Sequence, residues 1–323
     1  MTTVPTDVLA RTVALACRAP SYHNSQPWHW VAERDGLHLY LEPTRVVQTD
    51  PTERQALISC GAALDHLRVA MAAAGWQAQI DRCPDPRNEN HLASIRFTEM
   101  TAVTDEQRHR AEAIATRRTD RLPFAPVTDW AAFETALASR TDDAVALVDV
   151  MDDADREELA RATDLTDVLR FYDSTYFETL QEWTAPFEGS DGIPYDSLVS
   201  ATEGERVDVA RSFPLSHHPD RRPQIPADLS TILVISIHDN KRRDLLGCGE
   251  TLSTVLLEAT AAGLATCTLT HLTELATTRH LVEKVTGHRL PQVLVRIGEV
   301  PAHEHTPPPT PRRPLAEVLT IDL

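Results

Sequence analysis

Two runs in this chain of 323 residues have side-chain types and spacing that suit chemistry. The first is Arg117-Arg118-Thr119-Asp120-Arg121. It can aim two or three guanidinium groups and a hydroxyl at one point, and each guanidinium forks onto phosphate oxygens. Nearly all positive charge in the chain is arginine, Lys241 and Lys284 being its only lysines. The same run therefore also reads as a solvated charged segment. The second is Arg18-Ala19-Pro20-Ser21-Tyr22-His23-Asn24-Ser25-Gln26-Pro27-Trp28-His29-Trp30. Pro20 and Pro27 forbid a helix running through it. The small polar side chains and free backbone groups between them suit a fixed loop that hydrogen-bonds a flat polar ligand. The plainer reading is a Trp-anchored turn that joins a helix to a strand.

The elements that must position these runs follow from periodicity. Residues 6–17 read as a short helix with Thr6 or Asp7 able to cap it, ending where the Pro-Ser loop begins. Trp28–Glu33 and Leu37–Glu42 flank Arg34-Asp35-Gly36, and Asp-Gly is a strong hairpin signal. Glu53–Ala74 has apolar or small residues at 57, 60, 64, 67, 71 and 74, a helical stripe stopped by Gly75. A polar stretch over 81–90 then leads to a strand over 92–98. A charged helix over 104–116 delivers the arginine run. After it come a helix over 128–139, a strand over 144–150 and one or two helices over 152–182. Residues 184–226 are irregular, with prolines at 186, 194, 214, 219, 223 and 226 and apolar residues that include Phe187 and Leu215. A strand over 231–238, a helix over 244–262, a turn over 263–271, a helix over 273–286 and a strand over 292–296 complete the order. The Pro-rich tail 301–323 reads as an extended arm with a short terminal helix.

A repeat organises these elements. LISCGAALDHLRVAMAAAGW at 57–76 aligns with LLGCGETLSTVLLEATAAGL at 245–264, sharing Leu57/Leu245, Cys60/Cys248, Gly61/Gly249, Leu64/Leu252 and the final Ala-Ala-Gly. Downstream, Ile95-Arg96-Phe97-Thr98-Glu99 matches Val295-Arg296-Ile297-Gly298-Glu299. Helix, glycine stop and strand thus occur twice in one order, which implies two diverged copies of one unit, divided as 1–103 and 104–323.

Pro-Ser-x-x-Asn-x-Gln-Pro-Trp resembles the flavin-contacting loop of the FMN-dependent nitroreductase family. Arg117-Arg118-Thr119-Asp120-Arg121 resembles the Arg-Arg-Ser-x-Arg motif with which such domains begin, Thr119 keeping the hydroxyl and Phe124 supplying the aromatic that follows. Over nearly its whole length, and in the RAPSYHNSQPW form of the loop, the chain is similar to the Acg-like branch. The resemblance implies an α+β fold: an α/β/α sandwich with a mixed sheet, built as a tandem pseudo-dimer in one chain. It implies FMN phosphate held by Arg117, Thr119 and Arg121 with Arg118 beside them, and by Arg312 returning from the tail. It implies ring contacts from Pro20, Ser21, Tyr22, Asn24 and Gln26, and from the turn Thr268, Leu269, Thr270 and His271. The implied activity is hydride transfer from NAD(P)H through FMN to a nitroaromatic or quinone-like acceptor. The alternative is a protein that stores or sequesters FMN under a closed lid, with 184–226 as the lid.

The copies divide this equipment. The first has the Pro-Ser loop but no arginine-rich start ahead of its opening helix. The other has that start, but Ala138-Ser139-Arg140-Thr141-Asp142-Asp143 stands where its loop should be. One composite site can form, and its symmetry mate cannot. A formal charge of −17 argues against nucleic acid or an anionic membrane as partner. The five cysteines at 17, 60, 83, 248 and 267 show no paired spacing and read as reduced, in a cytoplasmic protein for which a monomer suffices. No metal site is expected. His217-His218 and His303-Glu304-His305 lack a completing carboxylate or cysteine cluster. There is no Gly-x-Gly-x-x-Gly, Walker or Gly-x-Ser-x-Gly motif.

Overall fold

The structure, a computed structural model, describes residues 4–184, 189–214, 216–302 and 308–322. Pro186, Phe187, Leu215 and the His303-Glu304-His305 run lie outside the described residues. Helix α1 (Thr6–Ala16) leads through a single 3-10 turn (Tyr22–Asn24) into strands β1 (Trp28–Glu33) and β2 (Gly36–Leu41). Helix α2 (Arg54–Ala73) and strands β3 (Trp76–Arg82) and β4 (His91–Glu99) complete the first unit. Strand β3 is not expected from sequence, because its outward positions Gln77, Gln79 and Asp81 give the stretch the composition of a polar loop. Its inward residues Trp76, Ala78 and Ile80 alternate with them as a half-buried edge strand requires.

The second unit opens with α3 (Asp105–Thr116), started by a capping box between Thr104 and Gln107, and continues with α4 (Trp130–Ala138) and β5 (Leu147–Val150). There follow α5 (Asp153–Arg170), α6 (Ser174–Trp183), the four-residue α7 (Ala201–Gly204) and β6 (Thr231–Ser236). Helix α8 (Arg242–Ala261) precedes β7 (Ala265–Leu269), α9 (His271–Glu274), α10 (Ala276–Thr286) and β8 (Pro291–Gly298). The stretch 263–271, read from sequence as one turn, is a strand running into a helical turn. Its run Ala265-Thr266-Cys267-Thr268-Leu269, with two β-branched threonines, pairs antiparallel with β8.

Two sheets result, ordered β3-β4-β2-β1-β9 and β5-β6-β8-β7, where β9 is Leu319–Asp322 after the short helix α11 (Leu315–Val318). Reading β3, β4, β2 and β1 against β7, β8, β6 and β5 gives the same order twice. The first sheet is mixed, because β9 runs parallel to β1 while its other pairs are antiparallel. The tail, grouped by sequence with residues 104–323, therefore adds its strand to the sheet of the first unit. The tight turn joining β1 to β2 has as its counterpart the whole segment between β5 and β6. Helices α5, α6 and α7 and the irregular stretch are all inserted at one hairpin tip.

Helices α2 and α8 lie between the sheets and carry the matched stripes into one core that includes Leu57, Leu64, Leu67, Leu245, Leu252 and Val255. Helix α2 is long and apolar enough to cross a membrane, and it is largely buried in this packing. The two helices have the same boundaries at an offset of 188, and their glycines explain how closely they cross. A Cβ on Gly61 would lie 2.1 Å from the carbonyl oxygen of Leu246, and one on Gly249 2.0 Å from that of Ile58. Ile58 and Leu246 are themselves related by the repeat, so the contact is reciprocal, as a two-fold axis requires. Beside the crossing, Ser253 donates to Asp65 at 2.6 Å and stands 2.9 Å from His66 Nδ1. Gly249→Ala should push the helices apart and lower stability by about 1–3 kcal/mol. Urea unfolding measures this, and an unchanged midpoint would contradict the close crossing.

Candidate functional site

A cavity of about 570 Å3 lies where the two units meet, within the usual range for cofactor sites. Of the residues singled out from sequence, Pro20, Ser21, Tyr22 and Asn24 line it from the Pro-Ser loop, and Arg117, Arg118, Thr119 and Arg121 from the arginine run. Thr268, Leu269 and Thr270 line it from the end of β7, and Arg312 from the tail.

Gln26 and His271 do not reach the cavity wall. Gln26 is fully buried behind the loop and ties it together. Its amide donates to the carbonyls of Asn24 (3.1 Å) and Ser190 (2.8 Å), and its Oε1 accepts from the backbone N–H of Arg313 (2.9 Å). His271 opens α9 with its ring turned inward, Nε2 3.2 Å from Thr163 Oγ1. Burial, reinforced by Arg211, pushes its pKa down to about 3, so the ring is neutral.

The Pro-Ser loop is held in a costly conformation. His23, Asn24 and Gln26 have φ of 52°, 60° and 52°, a region that side-chain-bearing residues rarely enter. Its fixings are correspondingly dense. Ser21 Oγ accepts from the N–H of Gln26 (3.0 Å), Ser59 Oγ on α2 from that of Tyr22 (3.1 Å), and Arg45 Nε donates to the Ser25 carbonyl (3.0 Å). Asn24 Nδ2 donates to the carbonyls of Gly192 and Pro311, while its Oδ1 is buried without a partner in a residue that faces the cavity.

Arginines gather at one end. Arg117 caps the C-terminus of α3, and Asp120 donates its N–H to the Thr266 carbonyl (2.9 Å), which pins the run beside β7. Arg117 donates to the carbonyl of Arg18, Arg118 to those of Ala115 and Arg117, and Arg312 to those of Cys17, Arg18 and Ala19. Among the described residues, no carboxylate figures in the electrostatics of Arg18, Arg117, Arg118 or Arg312. Burial, with repulsion from Arg18 and Arg118, pushes Arg117 down to about 10, and burial with repulsion from neighbouring arginines holds Arg312 well below the usual arginine range. The Nε atoms of Arg117 and Arg118 are buried without an acceptor. A desolvated group of like charges is stable only with an anion to share.

The inserted segment forms the remaining wall. Gly192, Ile193, Pro194, Ser197 and Val199 line the cavity together with Arg211 and Phe213. Arg121 stacks over Phe213, its guanidinium 4.9 Å from the ring centre. Arg211 is buried and paired with Glu274 of α9. It also donates to Thr270 Oγ1 and Tyr176 Oη, both at 3.1 Å, and lies over the Tyr22 ring. That pairing holds the Glu274 carboxyl at about 2, against the effect of burial. Sequence reasoning missed Arg211 because it sits in an irregular stretch with no motif. It missed Ser59 and Gln55 of α2, which also face the cavity, because they lie off the apolar stripe and belong to no motif.

Stability should therefore depend on acid. His23, His66 and His271 are each held at about 3, first by burial. Below about pH 6.5 the unfolded chain takes up these protons first, so their contribution is lost as pH falls from 6.5 toward 3. Glu274, depressed to about 2, adds stability that is present above its unfolded pKa and lost between about pH 4.5 and 2. Urea midpoints should fall from pH 7 to pH 5, and less steeply in His271→Phe. A flat profile over that range would mean the rings titrate as if exposed.

No protein-family profile matches the chain. Among solved structures, a "putative nitroreductase" of Anabaena variabilis aligns with a TM-score of 0.48 and 10% identity, over 93% of this chain and 90% of that one. The FMN and NADPH-dependent nitroreductase NfnB of Sphigopyxis aligns with a TM-score of 0.40 and 17% identity, over 65% of this chain and 97% of that one. Curated sequences are much nearer. "Putative NAD(P)H nitroreductase acg" of Mycobacterium tuberculosis is 52% identical over 322 residues, 99% of this chain and 97% of the relative. "Putative NAD(P)H nitroreductase Rv3131" of the same organism is 35% identical over 96% of this chain and 90% of that one. Identity at that level along the full length means that the chain belongs to the Acg-type branch of the nitroreductase family.

Proposed function

We propose that this protein is an FMN-binding, NAD(P)H-dependent oxidoreductase acting on nitroaromatic or quinone-like acceptors. The observation that carries the reading is the group of arginines without carboxylate partners at one end of the cavity, in a chain whose formal charge is −17. Arg117, Arg118, Thr119, Arg121 and Arg312, with Arg18 beside them, would hold the phosphate. The fit is chemical: buried donors lack acceptors there, and a phosphate brings both charge and acceptor oxygens. The buried Oδ1 of Asn24 offers an acceptor in the same cavity, where Ser21, Thr268 and Thr270 supply further polar groups.

Bound FMN supplies the hydride chemistry, so the protein's part is binding, orientation and exclusion of water. Tyr22 keeps its hydroxyl proton, since burial raises its pKa well above the usual range. Arg211 stays cationic through Glu274 and places a fixed positive charge beside Tyr22 and Thr270. The same reading divides the chain at 103/104, with one cofactor at the joint. In the second unit the position matching Ser59 is Gly247, and a Cβ there would lie 2.7 Å from Cγ1 of Val145. Val145 thus crowds the place that another Pro-Ser loop would need.

The storage reading has its own support in the way the insert is fastened. Asn24 and Gln26 bond the carbonyls of Gly192 and Ser190, Arg45 pairs with Asp191, and Arg211 is locked to Glu274. Such a wall restricts entry to the ring.

Heat-released flavin should approach one FMN per chain, and two would overturn the single composite site. Arg117→Ala and Arg121→Ala should each weaken FMN binding about tenfold or more, since hydrogen bonds to charged groups are worth roughly 1.5–3 kcal/mol. Unchanged affinity in both would mean that these arginines do not hold the phosphate. Yellow protein bleached anaerobically by NADPH or NADH and restored by a quinone supports turnover. Bleaching by dithionite alone supports storage.

A further inference from the structure

The tip of the β1–β2 hairpin carries a cluster with no part in the cavity. Glu33, Asp35 and His38 each present one ligand atom, all within 4.8 Å of one another. Glu33 ends β1 opposite Gly36, and His38 lies two residues farther along β2 on the same face. Asp35 occupies the turn between them.

The chemistry of this cluster turns on His38, whose residue is 8% exposed. Its Nδ1 is 3.1 Å from both His91 Nε2 and Ser94 Oγ on β4, and the His91 ring stacks on Tyr40. The ring is thus fixed from behind, as a metal-bound imidazole is fixed by the partner of its other nitrogen. Nε2 is left aimed at the carboxylates, 3.4 Å from Asp35 Oδ1. A charge-assisted N–H···O bond would be shorter, about 2.7–2.9 Å.

We propose that Glu33, Asp35 and His38 Nε2 form a site for a divalent transition ion of the Zn2+ type, with water completing the coordination. One imidazole with two carboxylates suits such an ion better than Mg2+ or Ca2+, which prefer all-oxygen shells. Arg96 also acts on Asp35 and is the cation with which the ion competes. A bound ion would tie β1 to β2 across their turn and stiffen the hairpin whose other end carries the Pro-Ser loop.

The test is equilibrium dialysis of the untagged full-length protein against micromolar Zn2+, followed by metal analysis, with titration calorimetry for affinity. One equivalent should bind. His38→Ala and Asp35→Asn should each weaken it at least tenfold, whereas His217→Ala/His218→Ala and His303→Ala/His305→Ala should leave it intact. Asp35→Asn guards against misfolding, since the Asp35 side chain is 63% exposed and the change is nearly isosteric. Failure to bind one equivalent, or wild-type binding by the folded Asp35→Asn and His38→Ala variants, would overturn the site.

Discussion

The contact of α2 with α8 at Gly61 and Gly249 is the constraint on which the rest depends. Backbone touches backbone there, and each glycine faces a carbonyl from the other helix. No larger residue fits, so the two helices approach at a distance set by main chain rather than by side chains. The two sheets then flank the pair in matching order, and the helices carry parts of the cavity wall. Gln55, Ile58 and Ser59 come from the start of α2, and Leu252 from the middle of α8. A shift at the crossing would move both walls at once.

Charge is distributed unevenly around that scaffold. Elsewhere, most buried arginines have carboxylates: Arg296 with Asp228, Arg222 with Asp120, Arg211 with Glu274, whereas Arg54 stands singly on the Gln292 amide oxygen and the Thr273 carbonyl. Burying a charge costs several kcal/mol unless it is paired, and these pairs obey that rule. The arginines around the end of α1 break it, satisfying some donors on carbonyls while leaving their net charge unbalanced. A protein rich in acidic residues has had every opportunity to place a carboxylate among them. Its absence there, among the described residues, is the physical reason to read the cluster as a place for an anion.

How much of this was legible in the sequence varied with the kind of signal. Helices α2 and α8 were plain, because a long apolar stripe fixes period and face together and the repeat confirms both. The arginine run and the Pro-Ser loop were visible as types and spacing. Their convergence was not, since it depends on how the two units pack. Strands β3 and β7 were lost for opposite reasons. Strand β3 has a solvated outer face, which gives it the polarity of a loop. Strand β7 is short and follows a glycine, which gives it the signature of a turn. Arg211 and Ser59 carry no local signature. One is placed by a buried ion pair, and the other donates to the Gln55 carbonyl while accepting from the Tyr22 N–H. The fate of the tail was equally hidden, because β9 pairs with β1, which lies at the opposite end of the chain.

Joining two units in one chain explains why they could diverge. In a symmetric dimer every substitution appears twice, so a change that spoils one site spoils both. Within a single chain each position is free of its counterpart. Val145 could then pack against Gly247 at the position where the first unit has Ser59 under the Pro-Ser loop. The hairpin tip of the second unit could take in α5, α6, α7 and the irregular segment while the first kept a tight turn. Only one copy of the tail exists, and it supplies both Arg312 to the cavity and β9 to the first sheet. The insertion at β5–β6 lines that cavity, and Arg211 and Phe213 bring it there through Glu274 and Arg121. Asymmetry in this fold is thus a consequence of covalent connection acting on a two-fold core, with the core itself still held symmetric by its two glycines.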